Sequence, residues 1–354
     1  MKCAIIHDSL LEFGGAERVL QSLLKMYPNA DLYTSFADNS ILNMFFSNFP
    51  RNRIHTFPFP FLSRSKTSII QMISPFIWKQ YSFEKYDIVI SSSSALFSNS
   101  IKVVRPKHIQ YIHSIPKNIF GLSPQKRLQK YIPYTNYLRK FYISSTQGNT
   151  NIVANSCYTQ QILFKKCLVQ STVIYPPVRI PKNIIIKSIP KYFLIVSRLD
   201  RTKGLELAIH AATKMKIFLK IAGKGIDKAY LKELYQYTNK YVEFIGFVPE
   251  SDLGKLYSSS YAFIMTAKNE DFGIAPIEAM AHGIPVIAHY SGGLKETIIP
   301  SKTGVFFYEY STKALSHAIN ILLKTSFDHN TLYRYSKKFG YNTFSRKLFH
   351  FIGY

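Results

Sequence analysis

Carboxylates are scarce in this chain. Its 354 residues carry 20 Asp and Glu against 45 Lys and Arg, a formal net charge of +25. Between Asp87 and Asp200 there is no acidic residue, while sixteen Lys or Arg fall in the same span. Such a stretch supplies neither a carboxylate base nor an acidic metal site; it attracts phosphates, acidic polymers or an anionic membrane face. The abundance of Lys, Ile, Asn and Tyr points to an AT-rich coding sequence, which accounts for part of the lysine excess but not for the missing acids. Cysteine is nearly absent too. Cys3, Cys157 and Cys167 form an odd set without framework spacing, which excludes a disulfide scaffold and fits a reducing compartment. No apolar run reaches the roughly 18 residues of a membrane span. The opening MKCAIIHDSL lacks the long apolar core and small-residue cleavage site of a leader and reads as a first strand. A cytoplasmic location is expected, with peripheral attachment at the inner membrane face as an addition. No Asp-x-Asp, zinc-spaced His/Cys cluster, Gly-x-Ser-x-Gly or P-loop occurs, so no metal site is expected.

What is present is a 47% hydrophobic, globular composition in a chain long enough for two domains. Short apolar runs alternate with helical spacing. Strands are expected at Cys3–Ile6, Ile88–Ile90, Ile109–Ile112 and Ile152–Ala154, and again at Tyr192–Val196, Ile217–Ala222, Val242–Ile245, Ala262–Thr266, Val286–Ala288 and Val305–Tyr308. Between the two sets VIYPPVRIPKN (173–183) is punctuated by Pro176, Pro177 and Pro181 and reads as a linker. The alternation predicts an α/β protein of two Rossmann-like domains with parallel sheets, residues 1–180 and 181–330. A basic, aromatic helical segment, 331–354, is expected to pack back on the first domain. Ligands in open α/β sheets bind where strands end and helices begin, here in a central cleft that the two sheets face.

Residues 269–293 read NEDFGIAPIEAMAHGIPVIAHYSGG. Glu270 and Glu278 are separated by seven residues in a chain poor in acids. Pro276 suits the first position of a helix, Glu278 its first turn, and Gly283 its end. Both acids then border one strand–helix mouth. One can accept hydrogen bonds from sugar hydroxyls and the other from a ribose diol, while N–H groups at the helix start, around Phe272, Gly273 and Ile274, remain for phosphate. Taken alone, Glu278 reads better as a carboxylate that offsets the helix dipole; taken with the whole stretch, it reads as part of a site. In SRLDRTKG, directly after an expected strand, Arg198 and Lys203 put two positive charges at the same kind of mouth. Gly14-Gly15 precede the first helix, where the absence of a Cβ lets N–H groups approach a phosphate.

The run from Glu270 to Ile287, followed by Gly292-Gly293, resembles the retaining nucleotide-sugar glycosyltransferases of family four, which have the GT-B fold. The resemblance extends over most of the chain, in motif order, and is nearest to bacterial mannosyltransferase-like members. It implies that Arg198 and Lys203 hold the donor diphosphate and that Gly14 and Gly15 approach the donor. His113, in YIHSIPKNIF, would approach the donor sugar, and Phe247 and Val248 would lie beside the nucleotide base. Glu270 would orient the sugar and Glu278 the ribose. It further implies a metal-independent, retaining hexosyl transfer with no bound cofactor, from a nucleotide-sugar donor. GDP-mannose is the first expectation and a UDP-sugar the second. The acceptor would be a glycan or polyprenyl-linked glycan of cell-surface polysaccharide synthesis, lipopolysaccharide included. Where the family commonly carries Arg after the proline that follows its histidine, this chain has Lys117, which keeps the charge and loses the bidentate fork. Basic and aromatic residues interleave at 61–81 and 131–142, which suggests an anionic membrane surface as partner. Two rivals remain open at this point: a GT-B nucleotide-sugar epimerase, and a basic nucleic-acid-binding protein, the least favoured because the basic residues are dispersed.

Overall fold

The computed structural model describes residues 1–57, 67–122, 132–184, 190–225 and 227–353. Residues 61–66 and 131, within the expected basic-aromatic stretches, lie outside them. The chain divides into two compact units, Met1–Pro177 with Phe344–Tyr354, and Val178–Thr343. The division falls at the Pro176-Pro177 pair, three residues before the expected boundary at 180. Of the segment 331–354, expected to pack back on the first domain, 344–354 belong to the first unit and 331–343 to the second.

The first unit is built on β1 (Cys3–His7), β2 (Asp31–Thr34), β3 (Ile54–Thr56), β4 (Ile88–Ser93), β5 (Lys107–Ile112), β6 (Ile152–Ala154) and β7 (Thr172–Val173). They pair in the order β3-β2-β1-β4-β5-β6-β7, and the pairings are parallel. A parallel sheet is covered on both faces, so its central strands read as unbroken apolar runs. Every residue of β1 is buried. Its alternation sends Ala4 and Ile6 into one core with Val89, Ile112 and Ala154, and Cys3 and Ile5 into another with Ile88, Ile90 and Val153. Into this second core the helix Tyr341–Ile352 drives Phe344, Leu348 and Ile352, and Lys107 Nζ donates to the carbonyl of Ile352 at 2.5 Å. β2, β3 and the two-residue edge strand β7, whose Val173 falls in the expected linker, escape the sequence reading for a physical reason. β3 closes the sheet edge and none of its residues is fully buried, while β2 offers only Leu32 and Tyr33 as apolar residues.

The second unit holds β8 (Tyr192–Val196), β9 (Leu219–Ala222), β10 (Val242–Gly246), β11 (Ser260–Met265), β12 (Val286–His289) and β13 (Gly304–Phe307). These run parallel in the order β10-β9-β8-β11-β12-β13. Each overlaps one of the six strands expected there. Helices with one apolar stripe cover the faces: Thr312–Lys324 buries Leu315, Ala318, Ile319 and Leu322 and is capped by Ser311. Both units therefore have the doubly wound Rossmann-like order. It reverses between β1 and β4 in the first sheet and between β8 and β11 in the second, and such reversals leave a crevice at the strands' carboxyl ends.

Candidate active site

Across the reversal in the second sheet, β8 leads to Arg198 and then to a short turn, Arg201–Lys203, whose start is capped by Asp200 accepting from the Thr202 N–H at 2.9 Å. β11 leads to Thr266, whose hydroxyl donates to the carbonyl of Lys203 at 2.8 Å and ties the two exits together. Lys203 Nζ lies 2.8 Å from Glu270 Oε2 and 3.1 Å from Oε1. The side chains are 13% and 23% exposed, so the pair is largely shielded from solvent and loss of either partner is costly. Arg198 leaves the same strand, with Nη2 at 3.6 Å from Asp200 Oδ2 and a 60% exposed side chain. A cation pair at the exit of one strand and a carboxylate at the exit of its neighbour can grip a diphosphate and hold a polyol side by side.

The glycine pair downstream seats the acidic loop. Asn269 is held in the left-handed region at φ 54°, its N–H donating to Ser291 Oγ at 3.0 Å. The Gly293 N–H donates to the Glu270 carbonyl at 2.8 Å. A Cβ at Gly292 would come within 2.7 Å of Glu270 N, and one at Gly293 within 2.9 Å of Phe272 Cα. Real Cβ atoms do not come so close to backbone. The two glycines thus fix where Glu270 can stand.

The helix that follows is Ile274–Ala281, entered through Gly273 at φ 91°. Pro276 is its third residue rather than its first, which moves Glu278 out of the first turn. The helix begins earlier because Gly273 adopts a conformation closed to other residues and turns the chain at once. Glu278 is buried, 7% exposed, and accepts from the Tyr257 hydroxyl at 3.2 Å. Gly283 ends the helix as expected: its N–H reaches Met280 O and that of Ile284 reaches Ala279 O, both at 2.9 Å, a Schellman closure. Phe272 is buried against Phe339, ring centres 5.7 Å apart. Phe247 is exposed, with Lys224 Nζ 4.7 Å above its ring, and Val248 is half-buried beside it.

The remaining candidates stand in the first unit. Gly14 caps the helix Gly15–Met26, so Gly15 is its first residue. His113 directly follows β5 and is buried. Its Nε2 lies 2.8 Å from Ser92 Oγ, and Asn155 Nδ2 donates to its carbonyl at 2.8 Å. Burial, and then the neighbouring His7, push its pKa down to about 3, so the ring is neutral at ordinary pH. Three residues at this end were not picked out by sequence reasoning: His7, Asp8 and Glu17. The signal lay in the composition, since Asp8 and Glu17 are two of only 20 acids. Asp8 Oδ2 accepts from the N–H groups of Ser94 at 2.7 Å, Ala95 at 2.7 Å and Leu96 at 2.9 Å, and Oδ1 from Ser98 at 3.0 Å. Asp8→Asn puts an amide donor among these donors; a loss of about 2–3 kcal/mol is expected, read by thermal or denaturant unfolding against wild type.

Among the described residues no helix is long and apolar enough to cross a membrane. The model of glycosyl transferases group 1 matches residues 179–343. An uncharacterized glycosyltransferase of Methanocaldococcus jannaschii is 34% identical over 148 residues, 40% of this chain and 38% of that protein. The alpha-1,3/1,6-mannosyltransferase ALG2 of Dictyostelium discoideum is 27% identical over 98% of this chain and 97% of its own. Several matches are partial, the chain spanning 38%, 40% and 39% of the archaeal protein and of the ALG2 proteins of Kluyveromyces lactis and Schizosaccharomyces pombe. Among solved structures, Anabaena HepE in complex with UDP-glucose superposes with a TM-score of 0.74 at 19% identity, covering 99% of each chain.

Proposed function

Residues 179–343 match the model of glycosyl transferases group 1 and the chain has the GT-B fold, and from that premise we propose that it is a glycosyltransferase that moves a hexose from a nucleotide diphosphate sugar to a glycan or lipid-linked glycan acceptor. The observation that carries the reading is the Lys203–Glu270 contact of 2.8 Å across the strand-order reversal. Arg198 and Lys203 take the diphosphate, Glu270 orients the sugar, and Glu278 serves the ribose. Phe247 and Val248 flank the base, and N–H groups at Gly273 and Ile274 serve a phosphate.

Transfer proceeds with retention. The bond from the anomeric carbon to the diphosphate oxygen breaks with its electron pair passing to the diphosphate, whose charge the two cations neutralise. The acceptor oxygen then bonds to the same face and its proton passes to the leaving phosphate, so no protein base and no metal ion are needed. The ALG2 relatives favour mannose, with GDP-mannose as donor; the UDP-glucose in the Anabaena structure keeps a UDP-sugar as the second reading. The acceptor belongs to cell-surface polysaccharide synthesis, and the exposed, stacked Phe76 and Tyr137 with the basic residues near them in sequence suit peripheral work at an anionic membrane face, whereas Trp78 and Tyr142 of the same stretches are buried in the core.

A thermal-shift screen of GDP-, UDP- and ADP-sugars tests the donor. A ligand at about a hundred times its Kd stabilises by about 2.7 kcal/mol, a rise of several degrees. GDP-mannose is expected to give the largest rise and an axial, retained linkage in the product by NMR. A larger rise with a UDP-sugar selects the second reading. No rise with any nucleotide sugar overturns the proposal.

A further inference from the structure

In the first unit four buried or half-buried side chains form one hydrogen-bonded line. Glu17 Oε1 lies 3.3 Å from His7 Nε2, His7 Nδ1 lies 3.0 Å from Ser92 Oγ, and Ser92 Oγ lies 2.8 Å from His113 Nε2. They come from the end of β1, the first turn of the helix Gly15–Met26, the body of β4 and the residue after β5. The reversal of strand order brings β1 and β4 side by side, with His7 paired to Ser92 in the ladder.

The protons in this line follow from its end. A carboxylate accepts only, so His7 must donate to Glu17 from Nε2. A neutral His7 then has an open lone pair at Nδ1, which takes the Ser92 hydroxyl proton. Ser92 Oγ, having donated, accepts from His113 Nε2. The neutral His113 ring is left with its only proton on Nε2 and a lone pair on Nδ1, for which the described residues supply no hydrogen-bond partner. We propose that Glu17 is a positioning residue that acts through His7 and Ser92 to hold His113 as the Nε2–H tautomer, so that His113 Nδ1 presents an acceptor, rather than a donor, to a ligand hydroxyl at the carboxyl end of β5.

The position of Glu17 supplies an isosteric test. Its second oxygen, Oε2, accepts from the Gly14 N–H at 2.7 Å. In Glu17→Gln the amide oxygen must keep that bond, which turns the NH2 towards His7. His7 Nε2 then becomes an acceptor, Nδ1 a donor, Ser92 donates to His113 Nε2, and the His113 proton moves to Nδ1. A single substitution without change of size reverses the direction of every bond in the line, and the outer nitrogen of His113 becomes a donor.

The tautomer does not depend on the proposed transfer reaction; only its kinetic consequence rests on that reading. Nitrogen-15 NMR of histidine-labelled protein, with couplings to Hδ2 and Hε1, identifies which ring nitrogen carries the proton. The expected result is Nε2–H in the wild type and Nδ1–H in Glu17→Gln, assigned by comparison with His113→Gln. The same His113 tautomer in both proteins, or Nδ1–H in the wild type, overturns the inference, whatever the turnover. With a donor accepted by the wild type, Glu17→Gln is expected to lower kcat/KM about tenfold and to have little further effect in a His113→Ala background. A full further loss in that background would mean that Glu17 does not act through His113, and would overturn the positioning role even with the tautomer as assigned. Reversed tautomers without any wild-type turnover would leave the line of bonds intact and strike the transfer reading instead.

Discussion

Replacing Glu270 with glutamine is expected to lower kcat/KM by roughly 10²–10³-fold, the scale of removing one electrostatic stabiliser from a transfer site. The substitution keeps the size and some of the polar contacts of the side chain. It removes the charge and faces part of an amide towards Lys203 Nζ, which in the native protein holds both carboxylate oxygens at 2.8 and 3.1 Å. Lys203 loses its anchor at the same moment that the sugar loses its acceptor, so kcat should fall together with donor affinity. Lys203→Ala removes a diphosphate cation and the ion-pair partner of Glu270, and an effect of similar size is expected. The double variant should be much less than additive, because the two side chains act as one unit. Steady-state kinetics of the four proteins, with thermal melts to verify folding, is the check. Near-additive losses would mean that Lys203 and Glu270 act apart.

Gly292→Ala is expected to be nearly as severe without touching a charged group. Gly292 stands at φ 62°, and the added carbon would meet the backbone nitrogen of Glu270 at 2.7 Å and the carbonyl carbon of Asn269 at 2.8 Å. Backbone cannot step aside as a flexible side chain can. The loop carrying Glu270 must shift, at about 1–3 kcal/mol from overpacking and a further 1 kcal/mol or so from the left-handed conformation. A 1 Å misplacement of a positioned group costs on the order of 10²-fold in rate. Gly246→Ala separates the two contributions, since Gly246 has a similar φ of 70° and nothing within 4 Å of the added carbon. It should lose only the conformational part, about 1 kcal/mol, and keep most of its activity. Equal losses of melting temperature and activity in the two variants would show that Gly292 matters only for its backbone angle.

These glycines also show how far the sequence could be read. The second unit was legible almost throughout, because parallel strands buried on both faces leave unbroken apolar runs such as Tyr192–Val196 and Val286–Ala288. β2 and β3 were not, because strands near a sheet edge need no such run. Lys203 and Glu270 were picked out separately from charge and from motif, and the reversal of strand order brings them into contact although they lie 67 residues apart. The glycine pair was noticed, but its purpose depends on which loop lies against it, which no local pattern encodes. Glu278 was placed one turn too early because Pro276 was read as the helix start, whereas the left-handed Gly273 sets it. His7, Ser92 and Glu17 look ordinary in sequence. Only the adjacency of β1 and β4 makes a line of them.

The central claim is that the mouth formed at the ends of β8 and β11 holds the donor. A crystal structure of the protein with an intact nucleotide sugar, chosen from the thermal screen, tests it most directly. The account predicts diphosphate oxygens within hydrogen-bonding distance of Lys203 Nζ and the Arg198 guanidinium, with a sugar hydroxyl on Glu270. A nucleotide bound with its diphosphate away from both cations, and Lys203 still closed on Glu270, would contradict it.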